Sequence, residues 1–253
     1  MCIGIAQYKL DYGKSFRETD LDRIQQLKDV EAAISLLKPN NLRINLWKQA
    51  VIIPQETLKP RKAQFAWVEK KKSGDTWPVF NVRVEGGWNN KENSDQYKGP
   101  YQVFSNPYVK DLIFGQKCII PCDFFIEQPS DKKIKKKFLI EKPNQTPIQL
   151  AGVYKEMPDP KTGEIKSFFT ILTTAFNGIT KKVGHLRSPV IIPDECILDY
   201  LNSGNKAKLE SYFRPMNEIQ LQAFEVDSMI AKIKCPLEDN DLRLRKPLSE
   251  IIS

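Results

Sequence analysis

Between Ala50 and Thr174 the chain is written in short apolar runs: Ala50–Ile53, Gln64–Val68, Val79–Glu85, Lys117–Glu127, Phe138–Glu141, Gln149–Tyr154 and Ser167–Thr174. Polar or lysine-rich turns separate them, such as Lys70-Lys71-Lys72-Ser73-Gly74-Asp75 and Asp159-Pro160-Lys161-Thr162-Gly163. Short runs bounded by such punctuation read as strands. So many strands with so few helices between them imply largely antiparallel pairing in an α+β domain. Helical spacing is confined to the flanks. Leu21, Ile24, Leu27, Val30, Ile34 and Leu37 recur at helical intervals after a Thr19/Asp22 capping box and stop at Pro39. Asp194–Leu201 and Lys206–Phe213 read as two further short helices, and Leu221–Met229 as a closing strand. Residues 1–235 are expected to form one domain, with 236–253 a charged tail.

At 253 residues and 41% hydrophobic content the chain can bury a full core in one domain. No apolar run is long enough to cross a bilayer and no signal peptide is recognisable, so a cytoplasmic protein is expected, nucleoid-associated if bacterial. Five cysteines, odd in number and irregularly spaced, argue for reduced thiols. With a single histidine and no Cys-x-x-Cys, no metal site is expected. No cofactor is expected either. A net charge of +8 points to a polyanionic partner, nucleic acid before membrane.

Four places could carry chemistry. Cys2 precedes the strand-like run Ile3–Ala6. Removal of Met1 would give it an α-amine and a thiol on adjacent carbons, with ordinary pKa values of about 8 and about 8.5. Such a 1,2-aminothiol condenses with an aldehyde to an imine and closes to a five-membered thiazolidine. The plainer reading is a small apolar residue starting a strand. In Phe80–Glu85, alternation sets Asn81, Arg83 and Glu85 on one face; a solvated face would do the same, but asparagine is depleted in strands. Glu127 ends an apolar run, either as an acid–base group of raised pKa or simply where a strand re-enters water. His185, the one imidazole, stands two residues before Arg187, and any histidine acid–base chemistry must happen there.

Taken together, these pieces resemble the SRAP family, the SOS-response-associated peptidases that shield abasic sites. Met1-Cys2 matches its start. Phe80–Glu85 is similar to its Asn-Ala-Arg-Ala-Glu, Lys117–Glu127 to its Arg-Cys…Pro…Phe-Tyr-Glu-Trp, and Ala151–Tyr154 to its Ala-Gly-Leu-Trp. Phe169–Ile192 is similar to its Phe-Thr-Ile-Leu-Thr-Thr through His-x-Arg-Met-Pro-Val-Ile. The resemblance implies a barrel-like core of antiparallel sheets flanked by a few helices. It implies that the protein senses abasic sites in single-stranded DNA and shields them by a thiazolidine crosslink through Cys2, acting as a monomer. Cys2 would be the nucleophile and Asn81 would orient it with the opened sugar. Glu127 and His185 would be the acid–base pair, and Arg83 and Arg187 would contact phosphates.

The chain departs from the family pattern at several positions. Gly4 stands where an arginine is usual, Phe124, Ile126 and Gln128 where Gly, Tyr and Trp are usual, and Ser188 where Met is usual. These leave the reactive set intact and bear on DNA-junction preference. Two other functions compete with crosslinking: a cysteine peptidase or autopeptidase using Cys2, and a non-catalytic basic DNA-binding module. The second would not need Cys2, Glu127 and His185 together.

Overall fold

The structure, a computed structural model, describes residues 4–7, 41–44, 47–70, 73–85, 100–159, 162–216, 220–226 and 246–247. Cys2, the helix expected over 21–37 and most of the expected tail lie outside these residues. In chain order the strands are β1 (Gly4–Gln7), β2 (Asn41–Ile44), β3 (Gln49–Pro54), β4 (Arg61–Phe65), β5 (Trp67–Lys70), β6 (Thr76–Val79), β7 (Asn81–Arg83), β8 (Lys117–Cys122) and β9 (Phe124–Glu127). They continue with β10 (Lys137–Glu141), β11 (Ile148–Pro158), β12 (Ile165–Ala175), β13 (Arg187–Pro189), β14 (Ile191–Ile192), β15 (Gln222–Val226) and β16 (Lys246–Pro247). Among the described residues three short α-helices accompany them: α1 (Gly178–Lys182), α2 (Ile197–Asn202) and α3 (Lys206–Tyr212).

Five strands close into a barrel. Neighbours pair in the order β12–β4–β3–β8–β11, and β11 pairs again with β12. Within the ring only β12–β4 is parallel; β7 adds a second parallel partner to β12. A six-stranded antiparallel sheet, β16–β15–β10–β9–β1–β2, packs beside it. The fold is α+β in one domain, mostly antiparallel, with a barrel core and few helices, as the strand-rich sequence implies. Two residues of the expected tail, Lys246 and Pro247, add an edge strand to β15.

Alternation explains why stretches of β3, β8 and β11 are apolar on both faces. On β3, Ala50 and Ile52 join the core shared with the second sheet, whereas Val51 and Ile53 join the core under α2 and α3. Cys118 and Ile120 against Ile119 on β8 divide in the same way, as do Leu150 and Ala151 on β11. A strand covered on both faces loses the polar face that would otherwise mark its period. Gly152 is needed where the wall is tightest, since a Cβ there would lie 2.4 Å from Ile120 Cδ1 and 2.5 Å from the Thr170 carbonyl. Gln7 fastens the two layers: its side-chain amide donates to the carbonyls of Val51 (2.8 Å) and Pro121 (2.7 Å) and accepts from Val51 N–H.

Three runs that read as single strands are each two. Gln64–Val68 breaks at Ala66, whose φ of 78° no extended strand permits. Val79–Glu85 breaks at Phe80, so that β6 pairs with β5 while β7 pairs with β12. Lys117–Glu127 breaks at Asp123: β8 belongs to the barrel and β9 to the second sheet. Strand-forming residues stand on both sides of each break, so the run reads on across it and the change of sheet is recorded in the backbone. The α1 helix, held by a reciprocal capping box between Asn177 and Thr180, is an addition to the sequence reading.

Candidate functional site

The break at Asp123 has a consequence for Glu127. As the last residue of β9 it stays in the second sheet, 0% exposed, so the strand does not re-enter water there. Burial pushes its carboxyl up to about 8, against the opposing pull of the Arg187 guanidinium. His185 Nε2 lies 3.4 Å from Glu127 Oε2, slightly beyond a tight hydrogen bond. Nδ1 of the same ring is 2.6 Å from the Gln128 carbonyl, which can only accept. The imidazole proton is thereby assigned to Nδ1, and Nε2 presents its lone pair toward the carboxyl. Burial also lowers the His185 pKa to about 4. Near neutral pH the pair is a protonated acid facing a neutral base.

Arg187 follows on β13 and is also buried, yet it meets a carboxylate under different terms. Its Nη2 donates to Glu85 Oε2 at 2.7 Å, to the Thr173 carbonyl at 2.9 Å and to Thr173 Oγ1 at 3.1 Å. Thr174 Oγ1 reaches the other Glu85 oxygen at 3.3 Å. Glu85, read in the sequence as one member of a polar strand face, is 1% exposed and sets where this guanidinium sits. The positioning threonines stood in the quoted Phe169–Ile192 stretch without a role, and the Gln128 carbonyl had none either, because these roles arise from register and from backbone atoms.

β12 brings the remaining residues together. Asn81 and Arg83 on β7 lie opposite Ile171 and Thr173, and Arg187 on β13 lies opposite Ala175. Asn81, Arg83, Thr173 and Arg187 line one cavity of about 420 Å³, along with Tyr108 and the 49% exposed Trp77. Five of the six sequence-predicted residues are therefore arranged as two groups joined by Arg187: a cationic, amide-bearing cavity wall and a neutral acid–base pair. The sixth, Cys2, is outside the described residues. What the structure does describe is its approach, because Gly4 lies opposite Ile126 in the antiparallel β1–β9 pair. The start of β1 and the Glu127 end of β9 are at the same edge. Among the described residues no group of three or more His, Cys, Asp or Glu side chains could hold a metal ion, and no helix is long and apolar enough to cross a membrane.

Comparison with known proteins agrees with the fold. Three solved structures share the fold at low identity. A Bacteroides thetaiotaomicron protein has a TM-score of 0.66 at 18% identity, over 92% of this chain and 95% of that one. A Bordetella bronchiseptica protein has a TM-score of 0.61 at 14% identity, over 90% and 100%. A phage-related protein of the same organism has a TM-score of 0.54 at 16% identity, over 93% and 99%. No curated protein matches the sequence. Residues 101–233, more than half of the chain and including Glu127, His185 and Arg187, match the family model described as SOS response associated peptidase. The chain belongs to the SRAP family, which associates it in general terms with abasic sites, DNA and the response to DNA damage.

Proposed function

We propose that the protein captures abasic sites in single-stranded DNA as a thiazolidine through Cys2, once Met1 has been removed. The observation that carries this reading is a buried carboxyl, its pKa raised by burial, 3.4 Å from the chain's one imidazole and at the end of the sheet where β1 begins. Two residues of extended chain span at most about 7 Å, so Cys2 is tethered within that distance of Gly4.

The chemistry follows from the residue types. The Cys2 amine adds to C1′ of the ring-opened sugar aldehyde, forming a C–N bond and a carbinolamine. Glu127 supplies the proton with which hydroxide leaves as water, and the nitrogen's proton returns to the Glu127 carboxylate, giving the imine. The Cys2 thiol then adds to the imine carbon, and the proton released from sulfur passes to nitrogen as the ring closes. His185, kept neutral by burial, takes and returns protons at Nε2 beside Glu127. Asn81 orients the sugar and amine. Arg83 and Arg187 hold the flanking phosphates, with Arg187 set by Glu85 before DNA arrives.

The test is a time course with an abasic single-stranded oligonucleotide on a denaturing gel, with intact mass recorded in parallel. Wild type should lack Met1 and give an adduct that survives without borohydride. Cys2→Ala and Cys2→Ser should give only an imine that needs reduction to be seen. A Cys2→Ala protein with the wild-type yield of unreduced adduct would refute the mechanism, as would active protein that retains Met1 throughout.

A further inference from the structure

Between β9 and β10 the chain makes a turn containing four lysines, Lys132, Lys133, Lys135 and Lys136, and a fifth, Lys137, opens β10. A lysine run on a surface is ordinarily just solvated. This one differs in where it is fastened. The Ser130 N–H donates to the Gly184 carbonyl at 2.9 Å, and the Leu186 N–H donates to Ser130 Oγ at 3.1 Å. With the His185 bond to the Gln128 carbonyl, three successive residues of the 184–186 segment are stitched to the base of this turn. The tip is therefore mounted beside the acid–base pair.

The local acids leave most of this charge in place. Asp131, the one carboxylate between Ser130 and Lys137, accepts the backbone N–H of Lys133 at 2.9 Å and so serves the turn itself. Glu225 pairs with Lys136 at 2.9 Å. Among the described residues, Lys132, Lys133 and Lys135 make no ion pair, and all three are exposed. Two exposed apolar side chains occupy the same pair of segments, Ile134 at 41% and Leu186 at 48%. A duplex stacks its bases away from such surface, whereas a single strand offers both phosphates and unstacked bases to it.

We infer that the 130–137 turn is a docking track for the single-stranded DNA that extends from the candidate site, with Lys132, Lys133 and Lys135 neutralising its phosphates. The inference rests on the single-stranded-DNA reading above but not on the crosslinking chemistry. Each single-strand phosphate neutralised adds about 0.7 to the slope of log affinity against log salt. The probe is undamaged oligothymidylate of increasing length, titrated between 50 and 200 mM salt against wild type and Lys132→Ala/Lys133→Ala/Lys135→Ala. The triple variant should show a slope shallower by about 2 on the longest oligomer, and the difference should grow with length. The affinity gap between the two proteins should then narrow more than tenfold across that salt range. Replacement of the three lysines by arginine should restore the wild-type slope. Equal slopes for wild type and the alanine variant at every length would overturn the inference, as would failure of wild type to bind the oligomers. If the slopes differ but wild type forms no unreduced adduct with an abasic strand, the crosslinking reading fails and the track stands.

Discussion

Two buried carboxyls feel the charge of Arg187 and resolve their burial in opposite ways. Glu85 is 1% exposed and meets a guanidinium at 2.7 Å. Glu127 is 0% exposed and meets an imidazole at 3.4 Å. A guanidinium cannot give up its proton, so burial around Glu85 forms an ion pair held by two threonines and a carbonyl. An imidazole can give up its proton, so burial around Glu127 neutralises both partners. One carboxyl fixes a cation in place, and the other is left holding a proton it can donate. The difference lies in the partner's proton affinity, since the depth of burial is nearly the same.

The largest expected effect breaks the charged side. Arg187→Ala leaves Glu85 buried without its guanidinium and should destabilise the fold by about 3–5 kcal/mol, the usual consequence of stranding one member of a buried pair. Glu127→Gln keeps a neutral group of similar shape and should shift stability far less at pH 6. Chemical denaturation of the two variants compares them directly. Equal losses would mean that the two carboxyls are held in the same way. In the crosslinking assay the ranking should change, because Glu127→Gln removes the proton donor and should slow adduct formation by about 10²–10⁴.

Titration sharpens the comparison next. The pKa of Glu127 is raised in the folded protein from 4.5 to about 8, so between those values the native state holds a proton that the unfolded chain has released. Stability from this group is full below pH 4.5 and is lost as pH rises toward 8. His185 runs the other way: its pKa is lowered from 6.5 to about 4, so its burial opposes folding at acid pH and ceases to do so as pH rises from 4 to 6.5. Glu127→Gln should therefore gain melting temperature relative to wild type as pH rises from 6.5 to 8, a window in which His185 no longer contributes. A constant difference across that window would mean that Glu127 ionises as an ordinary carboxylate. The crosslinking rate should fall above about pH 8, where the acid has lost its proton.

How much of this was legible in the sequence depends on where each signal is stored. Strand-rich antiparallel architecture was legible because it is encoded in many short runs at once. The changes of sheet at Ala66, Phe80 and Asp123 were not, because strand-forming residues stand on both sides of each and backbone geometry records the break. Asn81, Arg83, Glu127, His185 and Arg187 were legible as side-chain types, but their division between a cavity wall and a neutral pair was not. That division depends on register: β7 and β13 bring three of them alongside β12, while β9 carries Glu127 in the other sheet. Glu85 sat in the quoted motif without a role until its partner across 102 residues was visible.

The smallest effect concerns Ser188, where the family usually has methionine. In this chain the residue is 2% exposed, accepts a hydrogen bond from Asn177 Nδ2 at 3.2 Å and donates to the Pro189 carbonyl at 3.0 Å. Asn177 is also the N-cap of α1, accepting from Thr180 N–H at 3.0 Å. The Asn177–Ser188 bond thus closes the loop that carries His185 and delivers the chain to Arg187, the two residues on which the contrast between the carboxyls turns. Ser188→Ala removes that closure while leaving both ion-pair and acid–base partners intact. Loss of one neutral hydrogen bond of this kind costs about 1 kcal/mol, so denaturation should show a modest decrease. The sharper readout is kinetic: His185 held less firmly against Glu127 should lower the crosslinking rate while the salt dependence of DNA binding, set by the cations, stays at its wild-type slope. A change in that slope would mean that the loop positions Arg187 as much as His185, and the two halves of the site would have to be treated as one.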